Sequence, residues 1–150
     1  MEIYNVETKK IISSSHLCTP KLLVAGSRSL QCETFIHNVI SASLPEFMFP
    51  YTKPQELVSG ACKKGPDLFG ETFALANEIK IITFPAEWGV YGRSAGPKRN
   101  KKMAQYIGPG GYAMIFWDGE STGSKNMFDE CLAHDINTLL FTVTPETCSD

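Results

Sequence analysis

Long apolar runs are missing from this chain. Its opening residues, MEIYNVETKK, lack the hydrophobic stretch of a signal peptide, and nothing later approaches the roughly 20 apolar residues of a membrane span. A soluble, cytoplasmic protein with no membrane partner is expected. Metal and disulfide patterns are missing as well. Five cysteines, at 18, 32, 62, 131 and 148, form an odd set without a C-x-x-C pair, and histidines 16, 37 and 134 lie scattered among them. This spacing argues against a zinc site and against a disulfide framework, and leaves the cysteines as small core residues or idle thiols. Charge of one sign is not in excess either. The 14 basic and 16 acidic residues give a net charge of −2, which is no global signal for nucleic acid. Internal repeats and low-complexity tracts do not occur.

What is present fits one globular domain. A chain of 150 residues, 43% of them hydrophobic, can bury a core without staples. Residues 1–20 are polar and irregular and read as an N-terminal extension, with room for one short edge strand. From Lys21 onward, apolar runs alternate with helical patterns. Strands are expected at Leu22–Ala25, Leu57–Val58, Ile79–Phe84, Tyr112–Trp117 and Thr138–Val143, with helices over Glu33–Ala42, Leu68–Glu78, Lys98–Ile107 and Lys125–His134. About five strands with intervening helices predict a single α/β domain over 21–150, a Rossmann-like doubly wound parallel sheet with helices on both faces. Pro66 and Pro97 each suit the first turn of a helix, where a missing N–H costs nothing, and Ser124 is a candidate N-cap. The proline-rich stretch between Ser43 and Pro54 reads as a partly packed connection.

In such a sheet, ligands bind beyond the carboxyl ends of the strands, where helix N-termini offer free amides. The unusual residue clusters fall there. They are Gly26-Ser27-Arg28 after the first strand, Ser59-Gly60 through Gly65-Pro66-Asp67 after the second, Trp88 through Arg93 to Gly96-Pro97 after the third, and Trp117-Asp118-Gly119-Glu120-Ser121-Thr122-Gly123-Ser124 after the fourth. Any one loop is ordinary turn chemistry, but four on one rim point to a ligand. Arg93 to Lys102 adds five positive charges and no negative one, beginning in a glycine-containing loop suited to an anion. Trp88 and Trp117, at strand ends, are core residues or base-stacking platforms.

Three familiar chemistries fall short. Gly60 and Gly65 have P-loop spacing, but Pro66-Asp67 stands where Lys-Ser/Thr would hold a triphosphate and magnesium. Gly119-Glu120-Ser121-Thr122-Gly123 matches G-x-S-x-G, yet the only following histidine, His134, lies near the far end of the same helix and cannot fold back onto Ser121. No G-x-G-x-x-G follows the first strand, so a dinucleotide dehydrogenase is not expected. Neither a metal nor a cofactor is called for.

The ordered segments KLLVAGSRS, ELVSGACKKGPD, FPAEWGVYGRSAGPKRNKKM and FWDGESTGSKNM resemble the YspA-like branch of the SLOG superfamily, the Rossmann-like group named for Smf/DprA and LOG proteins. The resemblance spans about Lys21 to Val143. It implies a nucleotide-derived ligand contacted by Gly26, Ser27, Arg28, Ser59, Gly60, Asp67, Arg93, Gly96, Arg99, Asn100, Asp118, Gly119, Ser121, Gly123 and Ser124. Two departures matter. The second loop is one residue longer than the usual pattern, leaving open which of Cys62, Lys63 and Lys64 faces the ligand. Where LOG hydrolases carry a glutamate in the helix after the fourth loop, this chain has Met127.

The resulting expectation is a binder that senses or sequesters an ADP-ribose, NAD-related or cyclic nucleotide signal: SLOG domains resemble sensors in bacterial and viral conflict systems, and a stand-alone domain suits sequestration. The chain alone is compatible with a homo-oligomer. The alternative is an N-glycosidic nucleotide hydrolase or transferase, whose carboxylate would come from Asp67, Glu87, Asp118 or Glu120. Single-stranded nucleic acid is disfavoured by the acidic overall balance. Arg99 is expected to hold the anion while contributing little to stability.

Overall fold

The structure, a computed structural model, describes residues 4–9, 20–144 and 148, with the backbone alone described for residues 4–9. In chain order the elements are β1 (Tyr4–Lys9), β2 (Lys21–Gly26), α1 (Glu33–Phe47), β3 (Glu56–Ser59), α2 (Pro66–Ala76), β4 (Lys80–Thr83) and α3 (Trp88–Tyr91). A 3₁₀ turn at Gly92–Ser94 leads into α4 (Ala95–Ile107), then β5 (Tyr112–Trp117), α5 (Thr122–Ala133) and β6 (Asn137–Val143). The sheet order is β1-β6-β5-β2-β3-β4. β2 to β6 are parallel, and β1 pairs antiparallel along β6 at the edge.

The strand runs are continuously apolar because the central strands are covered on both faces. Leu22 and Val24 of β2 join one core with Ile36 and Ile40 of α1 and Phe69 and Phe73 of α2. Leu23 and Ala25, pointing the other way, join a second core with Met103 and Ala104 of α4 and Phe128 and Cys131 of α5. The protein is therefore a doubly wound, Rossmann-like α/β domain. Strand order reverses between β2 and β5, which opens a crevice beyond their carboxyl ends. Among the described residues, no helix is long and apolar enough to cross a membrane.

Four sequence expectations need correction. α1 continues through Pro45 to Phe47, into the stretch read as a connection. One missing N–H is tolerated there because Leu44 and Phe47 are buried in the core. A short helix, α3, occupies part of the third loop. The N-cap of α5 is Ser121, not Ser124, which lies buried in the first turn. Finally, Cys32 and Cys148 form a disulfide across 116 residues of sequence, in place of the idle or core thiols expected. Their pairing depends on the return of residue 148 to the start of α1, which no spacing rule reveals. Cys62 and Cys131 are free, while Cys18 lies outside the described residues.

Candidate functional site

The carboxyl-end crevice widens into a cleft of about 620 Å³, within the roughly 300–1,000 Å³ of small-molecule sites. Its walls bring together all four predicted loops. Gly26 and Arg28 come from the first, Gly60 and Asp67 from the second, Trp88, Arg93, Gly96, Arg99 and Asn100 from the third, and Ser121, Gly123 and Ser124 from the fourth. A second depression of about 690 Å³ opens at the amino ends of β3 and β4, around Tyr51, Lys53, Glu56 and Lys80, away from every predicted residue.

The loops approach one another because glycine leaves room. A Cβ on Gly26 would strike the Phe116 carbonyl oxygen and come within 2.6 Å of Pro66 Cγ, so glycine alone lets α2 begin against the β2–β5 switch point. A Cβ on Gly60 would lie 2.5 Å from Arg99 Nη1 and 2.9 Å from Asp67 Oδ2. That gap admits the chemistry of the cleft floor. Arg99 Nη1 donates to the Gly60 carbonyl at 2.6 Å and more weakly to the Phe84 carbonyl at 3.4 Å, while Nε donates to Asn100 Oδ1 at 2.9 Å. Asn100 in turn donates through Nδ2 to Asn126 Oδ1 at 2.9 Å and to the Gly123 carbonyl at 3.3 Å. This chain of bonds ties the second loop to α4 and to the start of α5. Arg99 is thus a structural clamp as well as a wall of the cleft, which corrects the expectation that it matters little for stability.

Several predicted residues act beneath the cleft rather than on it. Ser27, almost fully buried, accepts the Asp118 N–H at its Oγ at 3.0 Å, lies 3.2 Å from Ser124 Oγ, and donates its own N–H to the Phe116 carbonyl at 2.9 Å. It staples the first loop to the fourth. Asp118 Oδ1 accepts the N–H groups of Glu120 and Ser121 at 2.9 and 2.8 Å, and Oδ2 accepts Ser29 Oγ at 2.7 Å. Burial raises its carboxyl, but these hydrogen bonds outweigh that and leave it below its usual range. Gly119, at φ +88°, closes the same turn. Ser59 Oγ donates to Glu71 at 2.6 Å. Trp117 does not line the cleft, since its Nε1 donates to the Ser121 carbonyl at 2.9 Å and its ring packs on the second core. Trp88 is the aromatic that does, 53% exposed and resting over Gly96.

Electrostatically the rim suits an anion. α5 begins at the cleft without a side-chain cap, so its first-turn amides and positive dipole end are open, whereas α4 continues straight from the 3₁₀ turn, with the Ala95 N–H donated to the Gly92 carbonyl and Pro97 lacking an N–H. No atom lies within 4 Å of where a Gly123 Cβ would stand. The guanidinium groups of Arg28 and Arg93 make no hydrogen bond or ion pair among the described residues. Of the four carboxylate candidates, only Asp67 reaches the cleft. Glu87 sits 3.8 Å from Lys102, Glu120 is exposed, and Asp118 is internally bonded. Burial pushes the Asp67 carboxyl up to about 6, against the lowering pull of the Cys62 N–H at 3.2 Å and the Arg99 charge. Arg99 is itself held below its ordinary value by burial, with Asp67 opposing.

Sequence reasoning missed some lining residues. Thr122 and Asn126 are neighbours of quoted positions, and the lengthened second loop contributes Ala61 and Cys62 to the cleft lining while Lys63 and Lys64 are exposed outside it. Met127, 1% exposed, closes the floor as an apolar residue. Among the described residues, no group of three or more metal-binding side chains is gathered. No protein-family model, curated protein or solved structure matches this chain.

Proposed function

We propose that this chain binds a phosphate-bearing, nucleotide-derived small molecule in the carboxyl-end cleft, as a SLOG-like sensor or sequestering protein. One observation carries the reading. The open N-terminus of α5 and two arginines without partners among the described residues face the same cleft, a combination that stabilises a phosphate through amide donors, a dipole and guanidinium forks together. Trp88 adds an exposed ring on the same wall, suited to a base. An ADP-ribose, NAD-related or cyclic nucleotide signal has both parts. Titration calorimetry with AMP, ADP-ribose and uncharged adenosine tests this. Binding of the phosphorylated compounds, weakened by salt, is the expected result, and adenosine binding equally well would overturn it.

A second reading, cleavage of the N-glycosidic bond, has one observation in its favour. Asp67 lines the cleft with a carboxyl near 6, a value suited to proton transfer at neutral pH. Against it stands Met127, which offers no carboxylate to steady positive charge at an anomeric carbon. Prolonged incubation with AMP or NAD, followed by chromatography, separates the two. Intact ligand supports a binder, and multiple-turnover release of free base makes the protein a hydrolase.

A further inference from the structure

Asp67 is a buried carboxylate with one oxygen unaccounted for. It stands in the first turn of α2, 6% exposed, at the floor of the cleft. Its Oδ2 accepts the Cys62 N–H, and Oδ1 accepts no hydrogen bond among the described residues. Arg99, the nearest candidate to satisfy it, has Nη1 and Nε committed to Gly60, Phe84 and Asn100, and no ion pair joins it to Asp67. A buried acceptor without a donor is costly, so such a group is retained where a donor arrives from elsewhere.

Phosphate cannot be that donor. An ionised phosphate brings only acceptors, and like charge would drive it from Asp67 toward Arg28, Arg93 and the start of α5 on the walls. The ligand part over Asp67 must therefore carry no negative charge and hold O–H or N–H groups. Building on the nucleotide-ligand reading, we propose that Asp67 Oδ1 accepts a hydrogen bond from a sugar hydroxyl of the ligand, making the cleft selective for a hydroxyl-bearing sugar phosphate. Asp67 is then a specificity residue, while the wall arginines supply affinity for the anion.

The test uses the whole protein and four defined compounds. D-ribose 5-phosphate and butyl phosphate share a phosphate monoester, but only the first has sugar hydroxyls. AMP and IMP share ribose and phosphate, but only AMP has an exocyclic amine. Wild-type protein should bind ribose 5-phosphate about 10- to 100-fold more tightly than butyl phosphate, the scale of one hydrogen bond to a charged acceptor. Asp67→Asn should collapse that ratio toward unity, and AMP and IMP should bind alike. Equal affinity for ribose 5-phosphate and butyl phosphate on the wild-type protein overturns the proposal without any mutant, while leaving a phosphate site in place. A preference for AMP over IMP that Asp67→Asn abolishes also overturns it, because the donor is then the base amine. Failure of all four compounds to bind removes the nucleotide-ligand reading itself, and the proposal with it.

Discussion

Replacing Asp67 with asparagine should change the pH dependence of stability in a direction that the burial of this carboxyl dictates. Its folded value of about 6 lies above the ordinary 3.8. Between those values the native protein holds a proton that the unfolded chain has already released. The stability this proton contributes is complete below about pH 4 and is lost as pH rises through about 6. A rise of roughly two units corresponds to about 3 kcal/mol. The asparagine side chain keeps the volume and can still accept the Cys62 N–H, but it cannot ionise. Any cost of its unpartnered amide, about 1–3 kcal/mol, is constant with pH. The other carboxylates titrate in both proteins and cancel in the difference. Urea unfolding followed by tryptophan fluorescence should show the variant gaining about 2.5 kcal/mol relative to wild type between about pH 4 and about pH 7.5. A difference that shifts by less than about 1 kcal/mol, or shifts the other way, would refute the reasoning and mean that Arg99 stabilises the ionised form. A stability difference that moves in favour of the variant as pH rises, together with loss of ligand discrimination, is the pattern expected of a residue kept for function.

The arginines should divide into two kinds. Arg28→Ala and Arg93→Ala remove exposed, unpartnered groups, so stability should stay within about 0.5 kcal/mol while phosphate-ligand binding weakens by about 1.5–3 kcal/mol. Arg99→Ala strands the Gly60 and Phe84 carbonyls and should cost about 1–3 kcal/mol of stability in the same urea assay; an unchanged midpoint would contradict its role as a clamp. Two glycines offer a matched contrast. Gly60→Ala should destabilise by about 1–3 kcal/mol through collision with Arg99 and Asp67, whereas Gly123→Ala should fold normally and lose ligand affinity, read by melting and calorimetry on each. Reductant should lower stability by up to about 5 kcal/mol by opening the Cys32–Cys148 loop, and identical urea midpoints with and without it would count against that bridge.

Much of the architecture was local information. KLLVAG and YAMIFW are continuous apolar runs, and a strand apolar on both faces requires helices on both, which already selects a parallel doubly wound sheet. Pro66 after Gly65 marks the start of α2 because a proline in the first turn loses no bond. The rim of the sheet was legible for the same reason, since glycines and small polar residues gather where strands hand over to helices. What these residues do there was not legible. Arg28, Arg93 and Arg99 look alike in sequence, yet only Arg99 is captured, by a carbonyl 39 residues away that a glycine leaves open. Trp88 and Trp117 both end near strands, and only the packing of α5 turns one inward and leaves the other on the cleft wall. The same holds for the continuation of α1 past Pro45, the Cys32–Cys148 bridge and the buried, half-satisfied Asp67. Periodicity and backbone preference are properties of neighbours in the chain. Burial, and the partner of each polar group, are set by atoms from segments that meet only once the sheet has formed.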